Sequence, residues 1–356
     1  MINVYDLKES RQWSDLLNRF PGLDIFFQPD YCRLFEREGE GQARLFVYRS
    51  ETGWAIYPFL MRRVNDLPCF QGKLSKDFYD TVSPYGFSGP VISAPDDPLL
   101  LKKFRDNFDD YCLENNIVAE FIRFHPLLEN HRYAWEGLIT VEKNKKIVIV
   151  DLSRSGGEIW QGYKYSNRKN IKKAQREGLE TVIETGPDRF LDFYDIYQKT
   201  MERRQAQSYY YFSPRFFRDL HSQLEGNYAY AFTFKDKKAV SAELLLFQGP
   251  YLHSFLGGTL SEYFDCRPNN LLKHEVILWA QCRGFKYYLL GGGYRENDGI
   301  FQYKLSFAPE GLRDFYIGKK MHNPEAAVYL EEIMIREKGK RDQENHFFPP
   351  YRYSSS

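Results

Sequence analysis

The sequence predicts a mixed α/β (α+β) protein of two successive domains, each with a mixed, mostly antiparallel sheet flanked by helices. Two observations carry this prediction. Short apolar runs of strand length alternate with longer stretches of helical periodicity. A similar succession of elements also occurs in both halves of the 356 residues. A chain of this length is sufficient for two hydrophobic cores of ordinary size.

The first half opens with a helix and a hairpin. Apolar spacing predicts the helix over residues 11–20. The runs 44–48 and 54–60 predict the two strands of the hairpin. The segment 79–90 mixes turn formers with aromatic residues, which indicates a long surface loop. The remaining elements of this half are a helix over 99–116 and strands over 118–124 and 146–152.

The second half is richer in helix. Residues 153–157 interrupt the earlier pattern, which predicts domains at 1–152 and 153–356. Three strands joined by tight turns form a predicted antiparallel meander. A helix over 271–283 then ends at a glycine cap, and the strand 285–290 leads into three consecutive glycines. The other elements are helices over 160–177, 189–204 and 214–224, and strands over 228–234, 239–247 and 251–256.

The segment 291–307 joins a glycine turn to a lysine set among aromatic residues. Its glycines, among them Gly292 and Gly293, allow a sharp turn and a close approach of the backbone to a ligand. Lys304 follows Tyr303, and desolvation there would strengthen the pull of the lysine on a phosphate or a developing oxyanion. The pattern points to anionic or acyl chemistry. A strand, a turn and a snorkelling lysine are the structural alternative.

Composition argues against several classes of function. The net charge of +1, from 49 basic and 48 acidic side chains, argues against electrostatic wrapping of long DNA. Five scattered cysteines and seven histidines, from His125 to His346, show neither a disulfide framework nor the spacing of metal ligands. No leader is evident, and no apolar run approaches the roughly 20 residues that span a bilayer, so we expect a cytoplasmic protein.

Six cations follow one another along residues 163–176. At a period near 3.6, Lys164, Arg168 and Lys172 share one face of a predicted helix. Such a face could hold a phosphate or an RNA backbone, and a solvated charged surface is the alternative of about equal weight. The chain has no Gly-x-Ser-x-Gly elbow and no Walker-type phosphate loop, which argues against a serine hydrolase and a P-loop protein.

Four segments resemble, in order, the Fem family of aminoacyltransferases within the N-acetyltransferase-like (GNAT) superfamily. They are residues 80–90, 121–127, 166–174 and 291–307. The resemblance implies two GNAT domains in tandem. It also implies transfer of an aminoacyl group from tRNA to the peptide of a peptidoglycan precursor. The second half shows the corresponding element order, in which a meander precedes strand, helix and strand.

The resemblance implies roles for particular residues. The closing Phe/Tyr-Lys motif of the family falls on Lys304, which would stabilise the charge that develops when an ester carbonyl is attacked. Asp80 and Glu243 are candidate general bases, although such carboxylates are more often structural. The predicted substrate-binding residues are Tyr85, Lys164, Arg168, Tyr211, Asn270, Gly292, Gly293 and Tyr303.

The predicted acceptor is a UDP-linked or lipid-linked glycan or muropeptide precursor, with peripheral membrane contact as a further expectation. The predicted donor is the acceptor end of an aminoacyl-tRNA or an acyl-CoA, and no separate cofactor, metal or DNA is expected. The chain lacks the long charged helical arm of many peptidoglycan enzymes, which weakens the prediction of tRNA. Its Gln/Arg-x-x-Gly-x-Gly/Ala turns at 175–180 and 281–286 are incomplete, which weakens the prediction of coenzyme A.

Two alternatives to the aminoacyltransferase stay open. One is an acyl-CoA-dependent N-acyltransferase that acts on an amino sugar in polysaccharide biosynthesis. The other is a non-catalytic double-GNAT module that binds a glycan or a biosynthetic partner and retains Lys304 for an anion.

Overall fold

The computed structural model describes residues 1–295, 297–338 and 347–353. Glu296, from the predicted glycine and lysine segment, and His346 lie outside the described residues. The chain divides into two compact units. The first unit is Met1–Pro21, Phe26–Asn144 and Phe315–Ser356, and the second is Gly22–Ile25 and Lys145–Asp314.

Strands and helices make up most of the described residues. The strands are β1 (Ile2–Tyr5), β2 (Gln42–Arg49), β3 (Trp54–Arg63), β4 (Tyr79–Val82), β5 (Val91–Ile92), β6 (Ile117–Arg123), β7 (Thr140–Asp151), β8 (Glu180–Glu184), β9 (Tyr228–Lys235), β10 (Lys238–Gln248), β11 (Tyr251–Thr259), β12 (Tyr287–Gly291) and β13 (Leu312–Met321). The helices are α1 (Ser10–Leu17), α2 (Pro29–Arg37), α3 (Pro98–Glu114), α4 (Gly156–Gly162), α5 (Tyr165–Arg176), α6 (Phe190–Arg204), α7 (Pro214–Gln223), α8 (Pro268–Cys282), α9 (Gly299–Leu305) and α10 (Pro324–Lys338). In the described part of the chain, no helix combines the length and the apolar character that crossing a bilayer requires.

The first unit is a mixed sheet packed on an aromatic core. Strands β1 to β4 pair antiparallel in succession, and β6 lies parallel to β4 and antiparallel to β13. Helix α3 leads into β6 and contributes Phe104 and Phe108 to the core, where they meet Phe46 and Tyr57. The rings of Phe46 and Phe108 stand edge to face with centroids 5.1 Å apart, an arrangement that aromatic quadrupoles favour. The sheet is therefore closed on one face by packed aromatic rings.

The second unit shows the same element order in a larger sheet. Its strands lie in the order β7, β12, β11, β10, β9, β8, and only β11 and β12 are parallel among these pairs. Helix α8 connects the parallel pair and buries Val276, Ile277 and Ala280 in the core. Asp236 and Lys237 have φ values of 49° and 65° in the turn from β9 to β10. Positive φ values at both positions suit a two-residue hairpin, and the predicted meander is present.

Two predicted elements need correction. The surface loop predicted over 79–90 begins with the buried strand β4, because Asp80 pairs with arginines and Thr81 and Val82 face the interior. The helix predicted over 160–177 is two helices, α4 and α5. The chain is extended at Tyr163 and Lys164, since the ring of Tyr163 turns into the core and its hydroxyl contacts His274.

The compact units follow strand pairing. Their boundary falls between Asn144 and Lys145, because β7 pairs with β12 of the second unit from Val148 onward. The chain returns to the first unit at Phe315, where β13 pairs with β6. The predicted boundary after residue 152 was placed where the sequence pattern changes, and not where the strand pairing changes.

Replacement of Gly258 by alanine tests how closely α6 packs on β11. A Cβ at Gly258 would lie 2.4 Å from Thr200 Oγ1 and 2.8 Å from the backbone oxygen of Ile196. We expect Gly258→Ala to lower the free energy of unfolding by about 1–3 kcal/mol in urea denaturation, because a helix backbone cannot yield cheaply. Gly157→Ala is the control, since a Cβ there meets nothing within 4 Å. Equal stability of the two variants would contradict this packing.

Candidate active site

The parallel strands of the second unit separate after a short paired segment. Strands β11 and β12 pair only where residues 251–253 meet residues 287–289. Beyond His253, β11 runs on to Thr259 and remains paired with β10. Strand β12 meanwhile continues to Gly291 and remains paired with β7. A cleft therefore opens between two strands whose outer edges are both satisfied.

This cleft holds a cavity of about 700 Å³. Its walls come from β10 and β11 and from helices α5, α6, α8 and α9. The cations among the lining residues are Arg203, Arg204, Arg267, Lys273 and Lys304. Among the described lining residues, Glu243 is the carboxylate that faces them. An excess of positive charge on concave walls favours an anionic ligand.

The corresponding strands of the first unit stay joined. Strands β4 and β6 are parallel and lie on either side of α3 in sequence, as β11 and β12 do with α8. Beyond β4, the N–H of Ser83 donates to the carbonyl of Phe121 at 3.1 Å, and the N–H of Ser88 donates to that of Arg123 at 2.8 Å. These bonds bridge the two strands where the second unit opens, so the described part of the first unit has no equivalent cleft.

Lys304 lies on α9 and lines the cavity. The residue is half-buried, and its Nζ donates to the carbonyl of Gly292 at 2.7 Å. Burial, together with the positive charges of Lys273 and Lys145, lowers the pKa of Lys304 to about 7, against the opposing charge of Glu243. Near neutral pH this lysine is therefore present in both protonation states, whereas an ordinary lysine is fully protonated.

Asp298 fixes the start of α9 and thereby the position of the lysine. Its carboxylate accepts hydrogen bonds from the N–H groups of Tyr294 at 2.6 Å, Arg295 at 3.0 Å and Phe301 at 2.8 Å. Gly293 permits this arrangement, because a Cβ there would lie 2.3 Å from Asp298 Oδ1. The predicted glycine turn thus acts through close backbone packing around the helix start.

Glu243, Lys273 and Ser254 line the same cavity and form a polar network with the buried Tyr288. Lys273 Nζ donates to Glu243 Oε1 at 2.5 Å, to Ser254 Oγ at 2.9 Å and to Tyr288 OH at 2.9 Å. Tyr288 OH in turn donates to the same oxygen of Glu243 at 2.7 Å. Burial lowers the pKa of Lys273 in spite of the nearby carboxylate, and burial raises the pKa of Tyr288 well above its ordinary value.

Several predicted site residues come together here. Those that line the cavity are Glu243, Asn270, Tyr303 and Lys304. Asn270 Nδ2 donates to Asn167 Oδ1 at 2.8 Å, and Tyr303 OH donates to the carbonyl of Asn269 at 2.8 Å. These bonds tie α8 to α5 and to α9 at the cavity. Tyr211 lies elsewhere on the surface of the second unit and is 38% exposed.

Two predicted site residues of the first unit, Asp80 and Tyr85, make contacts that hold the fold together. Asp80 is fully buried, and its Oδ1 accepts a hydrogen bond from Arg62 Nε at 2.7 Å. Its Oδ2 accepts a hydrogen bond from Arg352 Nε. Both oxygens are occupied, so this geometry does not supply the free base that the sequence suggested. The ring of Tyr85 stacks on Phe35 with centroids 5.9 Å apart.

Two predicted basic residues, Arg168 on α5 and Lys164 just before its start, also contact their own unit. Arg168 Nη1 donates to the carbonyls of Gln161 at 2.7 Å and Tyr163 at 2.5 Å, which caps the end of α4. Lys164 is exposed, and its Nζ donates to Gln302 Oε1 at 3.3 Å. Neither residue lines the cavity of Lys304. Their predicted role in binding substrate stays a prediction.

Sequence reasoning missed Lys273, Ser254 and Tyr288. The signal for Lys273 was present, because it shares an α8 face with the apolar residues Val276 and Ile277. A lysine on an apolar helix face needs a partner in the core. Ser254 and Tyr288 carried no comparable signal.

The first turn of α8 is where an acetyltransferase fold would hold a pyrophosphate. Here Pro268 has no N–H, and the N–H of Asn270 donates to the carbonyl of Arg267 at 3.1 Å. The turn therefore offers fewer free donors to a phosphate than an uncapped helix start. Among the described residues, no three His, Cys, Asp or Glu side chains are placed to hold a metal ion.

Comparison with known proteins matches residues 163–305 to the acetyltransferase (GNAT) domain family. The crystal structure of FemX is similar with a TM-score of 0.69 and 12% identity, over 92% of this chain and 99% of that one. The chain has the tandem GNAT fold of a Fem-type protein. The predicted fold class is confirmed, and the predicted resemblance to Fem-type proteins is confirmed at the level of the fold.

Two further structures are similar to this chain in fold. The C-terminal domain (DUF2156) of a candidate lysylphosphatidylglycerol synthetase from Agrobacterium fabrum has a TM-score of 0.56 and 15% identity, over 94% of this chain and 98% of that one. A tandem GNAT protein from the clavulanic acid biosynthesis pathway has a TM-score of 0.50 and 10% identity, over 91% and 99% of the two chains. No protein of curated function matches the sequence significantly. The family match and these folds support a transferase.

The titration of Lys304 tests the electrostatics of the cavity. Because its pKa lies near 7, we expect its side-chain NMR signal to titrate around neutral pH while ordinary lysines titrate near 10.4. Lys273→Met and Lys145→Gln should each raise the pKa of Lys304, since each removes a neighbouring positive charge. Lys199→Gln, a surface change on α6, should leave it unchanged. A Lys304 signal that titrates with the ordinary lysines would contradict this account.

Proposed function

We propose that this chain is an acyltransferase that moves an aminoacyl or acyl group onto a primary amine of a cell-envelope or glycan precursor. The reaction takes place in the cavity of the second unit. One observation carries the proposal. Lys304 is held by the Gly292 carbonyl at a cavity between the parted strands of a domain that matches the GNAT family.

Lys304 supplies the charge that the reaction needs. When the amine nitrogen attacks the carbonyl carbon of an ester or thioester, a C–N bond forms and the carbonyl oxygen becomes an oxyanion. A nearby ammonium in a partly desolvated site stabilises that oxyanion more than it stabilises the neutral carbonyl. The oxyanion then collapses, and the bond to the leaving oxygen or sulfur breaks.

Glu243 is the carboxylate that takes the proton of the attacking amine. It lines the cavity with Lys304 and is 4% exposed. Loss of a proton from the attacking nitrogen and its return to the leaving group keep the reaction balanced. Orientation of donor and acceptor within the cavity supplies much of the remaining acceleration.

A basic surface on α5 supports a polyanionic donor such as an aminoacyl-tRNA. This basic surface is a concave region of about 530 Å³ lined by Tyr165, Arg168, Lys169, Lys172, Gln175 and Arg176. Within the described part of the chain, Lys169 and Lys172 form no ion pair. Tyr165 is 75% exposed beside them and offers a ring on which a base could stack. Two cations without ion pairs, three residues apart on α5, favour neighbouring phosphates of a strand over one anion.

Acyl-CoA is the alternative donor, and the reduced set of free N–H groups at the start of α8 disfavours it. A thermal-shift screen with aminoacyl-tRNA, acetyl-CoA and a UDP-linked muropeptide separates the candidates, because a ligand that binds the native state raises its melting temperature. We expect shifts with the tRNA and the muropeptide. A shift with acetyl-CoA alone would favour the N-acyltransferase, and the absence of any shift would contradict both enzymes.

Replacement of Lys304 tests the proposed chemistry. We expect Lys304→Ala to lower kcat about 10²- to 10³-fold, as the loss of one oxyanion donor does elsewhere, and to change KM much less. The measurement is steady-state transfer to the acceptor with the donor that the screen identifies. Lys199→Ala removes a surface cation that pairs with Asp195 at 2.7 Å and does not line the cavity, so it serves as the control. A rise in KM with unchanged kcat would reduce Lys304 to a binding residue.

The basic surface is tested by the salt dependence of tRNA binding. Lys169→Gln combined with Lys172→Gln should weaken binding and reduce the slope of log K against log salt by about 1.4, if each lysine contacts one phosphate. Lys199→Gln is the matched control, because this exposed lysine pairs with Asp195 at 2.7 Å on α6. Identical slopes for both changes would place the donor elsewhere.

A further inference from the structure

The reaction proposed above leaves Lys273 without a role, although it is among the most constrained cations of the second unit. It is 5% exposed and lines the cavity. An ammonium group has three N–H donors. The three contacts of Lys273, to Glu243, Ser254 and Tyr288, account for all of them. Lys273 therefore has no donor left for a substrate.

The same contacts make the two oxygens of Glu243 unequal. Oε1 accepts hydrogen bonds from Lys273 at 2.5 Å and from Tyr288 at 2.7 Å. Within the described residues, Oε2 makes no hydrogen bond and is not sealed from solvent. Since Glu243 lines the cavity, the oxygen available to a ligand is Oε2.

We infer that Lys273 is a positioning residue that holds Glu243 as a carboxylate, with Oε1 fixed and Oε2 presented to the acceptor amine. The inference rests on the proposed function, because the amine is the acceptor of that reaction. It adds the group that keeps the proton acceptor charged and turned towards the cavity. Lys273 itself contacts neither donor nor acceptor.

The charge of Lys273 is needed because a buried carboxylate without a partner takes up a proton. The titratable groups that face Glu243 come from three elements: Lys273 on α8, Tyr288 on β12, and Tyr303 and Lys304 on α9. Arg203, Arg204 and Arg267 line the same cavity from α6 and the approach to α8. Of these cations, only Lys273 is in hydrogen-bond contact with Glu243 among the described residues.

The pH dependence of turnover tests this role. An opposite charge in contact lowers the pKa of a carboxyl group by about 1–3 pH units. Lys273→Met removes that charge, so the acidic limb of kcat/KM should move to higher pH by about that amount. Lys273→Arg should restore the limb. Lys235→Met is the control, because it breaks the surface pair with Glu177 at 3.1 Å, outside the cavity. An unmoved limb in a folded Lys273→Met protein overturns the inference.

A second measurement needs no turnover. In the full-length protein labelled with [¹³Cδ]glutamate, the Glu243 signal is identified by its loss in Glu243→Gln and followed with pH. Its midpoint should rise in Lys273→Met, and ethylammonium chloride should shift this signal in the unsubstituted protein while tetramethylammonium chloride should not. An unchanged midpoint, or equal responses to the two ions, overturns the inference even if no donor supports turnover. If the NMR signal behaves as expected but no turnover is found, the result counts against the proposed function and not against the role of Lys273.

Should Lys273→Met fail to fold, two further variants decide the question. The double variant Lys273→Met with Glu243→Gln removes both charges of the buried pair, which proteins tolerate better than the loss of one partner. Tyr288→Phe keeps the charge of Lys273 and removes one donor to Oε1. We expect Tyr288→Phe to lower kcat and to leave the acidic limb of kcat/KM close to its position in the unsubstituted protein, because the charge of Lys273 stays in contact with Glu243. Lys273→Arg keeps the charge and should leave the acidic limb in place. The role of the charge would be overturned if Lys273→Arg moved the limb and Tyr288→Phe moved it further still.

Discussion

The separation of β11 from β12 is the constraint on which the candidate site depends. Buried backbone groups need hydrogen-bond partners, so a sheet can open only where each strand keeps a neighbour on its other side. Strand β11 keeps β10 and strand β12 keeps β7. The backbone groups on the outer edges of both strands therefore stay paired where the inner edges part. In the first unit the equivalent strands remain bonded, so the tandem fold presents one open cleft in its described residues.

The charges around this cleft depend on one another. Burial lowers the pKa of Lys304 and of Lys273, repulsion from Lys273 lowers that of Lys304 further, and the carboxylate of Glu243 opposes both shifts. The positive charge of Lys273 is balanced by the carboxylate of Glu243, whereas Lys304 is held by a backbone carbonyl that carries no net charge. Lys304 is thus the lysine whose charge remains available to a developing oxyanion.

Local patterns in the sequence were sufficient for the meander and the glycine turn, while the role of Lys304 stays a prediction. Each depends on residues close together in the chain. The surface loop predicted around Asp80 was wrong because it depends on a distant partner. Arg352, which donates a hydrogen bond to Asp80, lies 272 residues away in the sequence. The network that joins Glu243 to Tyr288 spans 45 residues, and apart from the apolar helix face that carries Lys273 it left no local signature. The break between α4 and α5 follows from the burial of one ring.

The most direct measurement of the central claim is a structure of the protein with a phosphonate analogue of the tetrahedral intermediate. The phosphonate oxygen takes the place of the oxyanion, so its distance to Lys304 Nζ reports whether the lysine meets the developing charge. We expect that distance to be about 2.7–3.1 Å, as for an oxyanion donor, with the attacking amine at Oε2 of Glu243. An analogue bound outside the cleft, or with its oxyanion away from Lys304, would contradict the account.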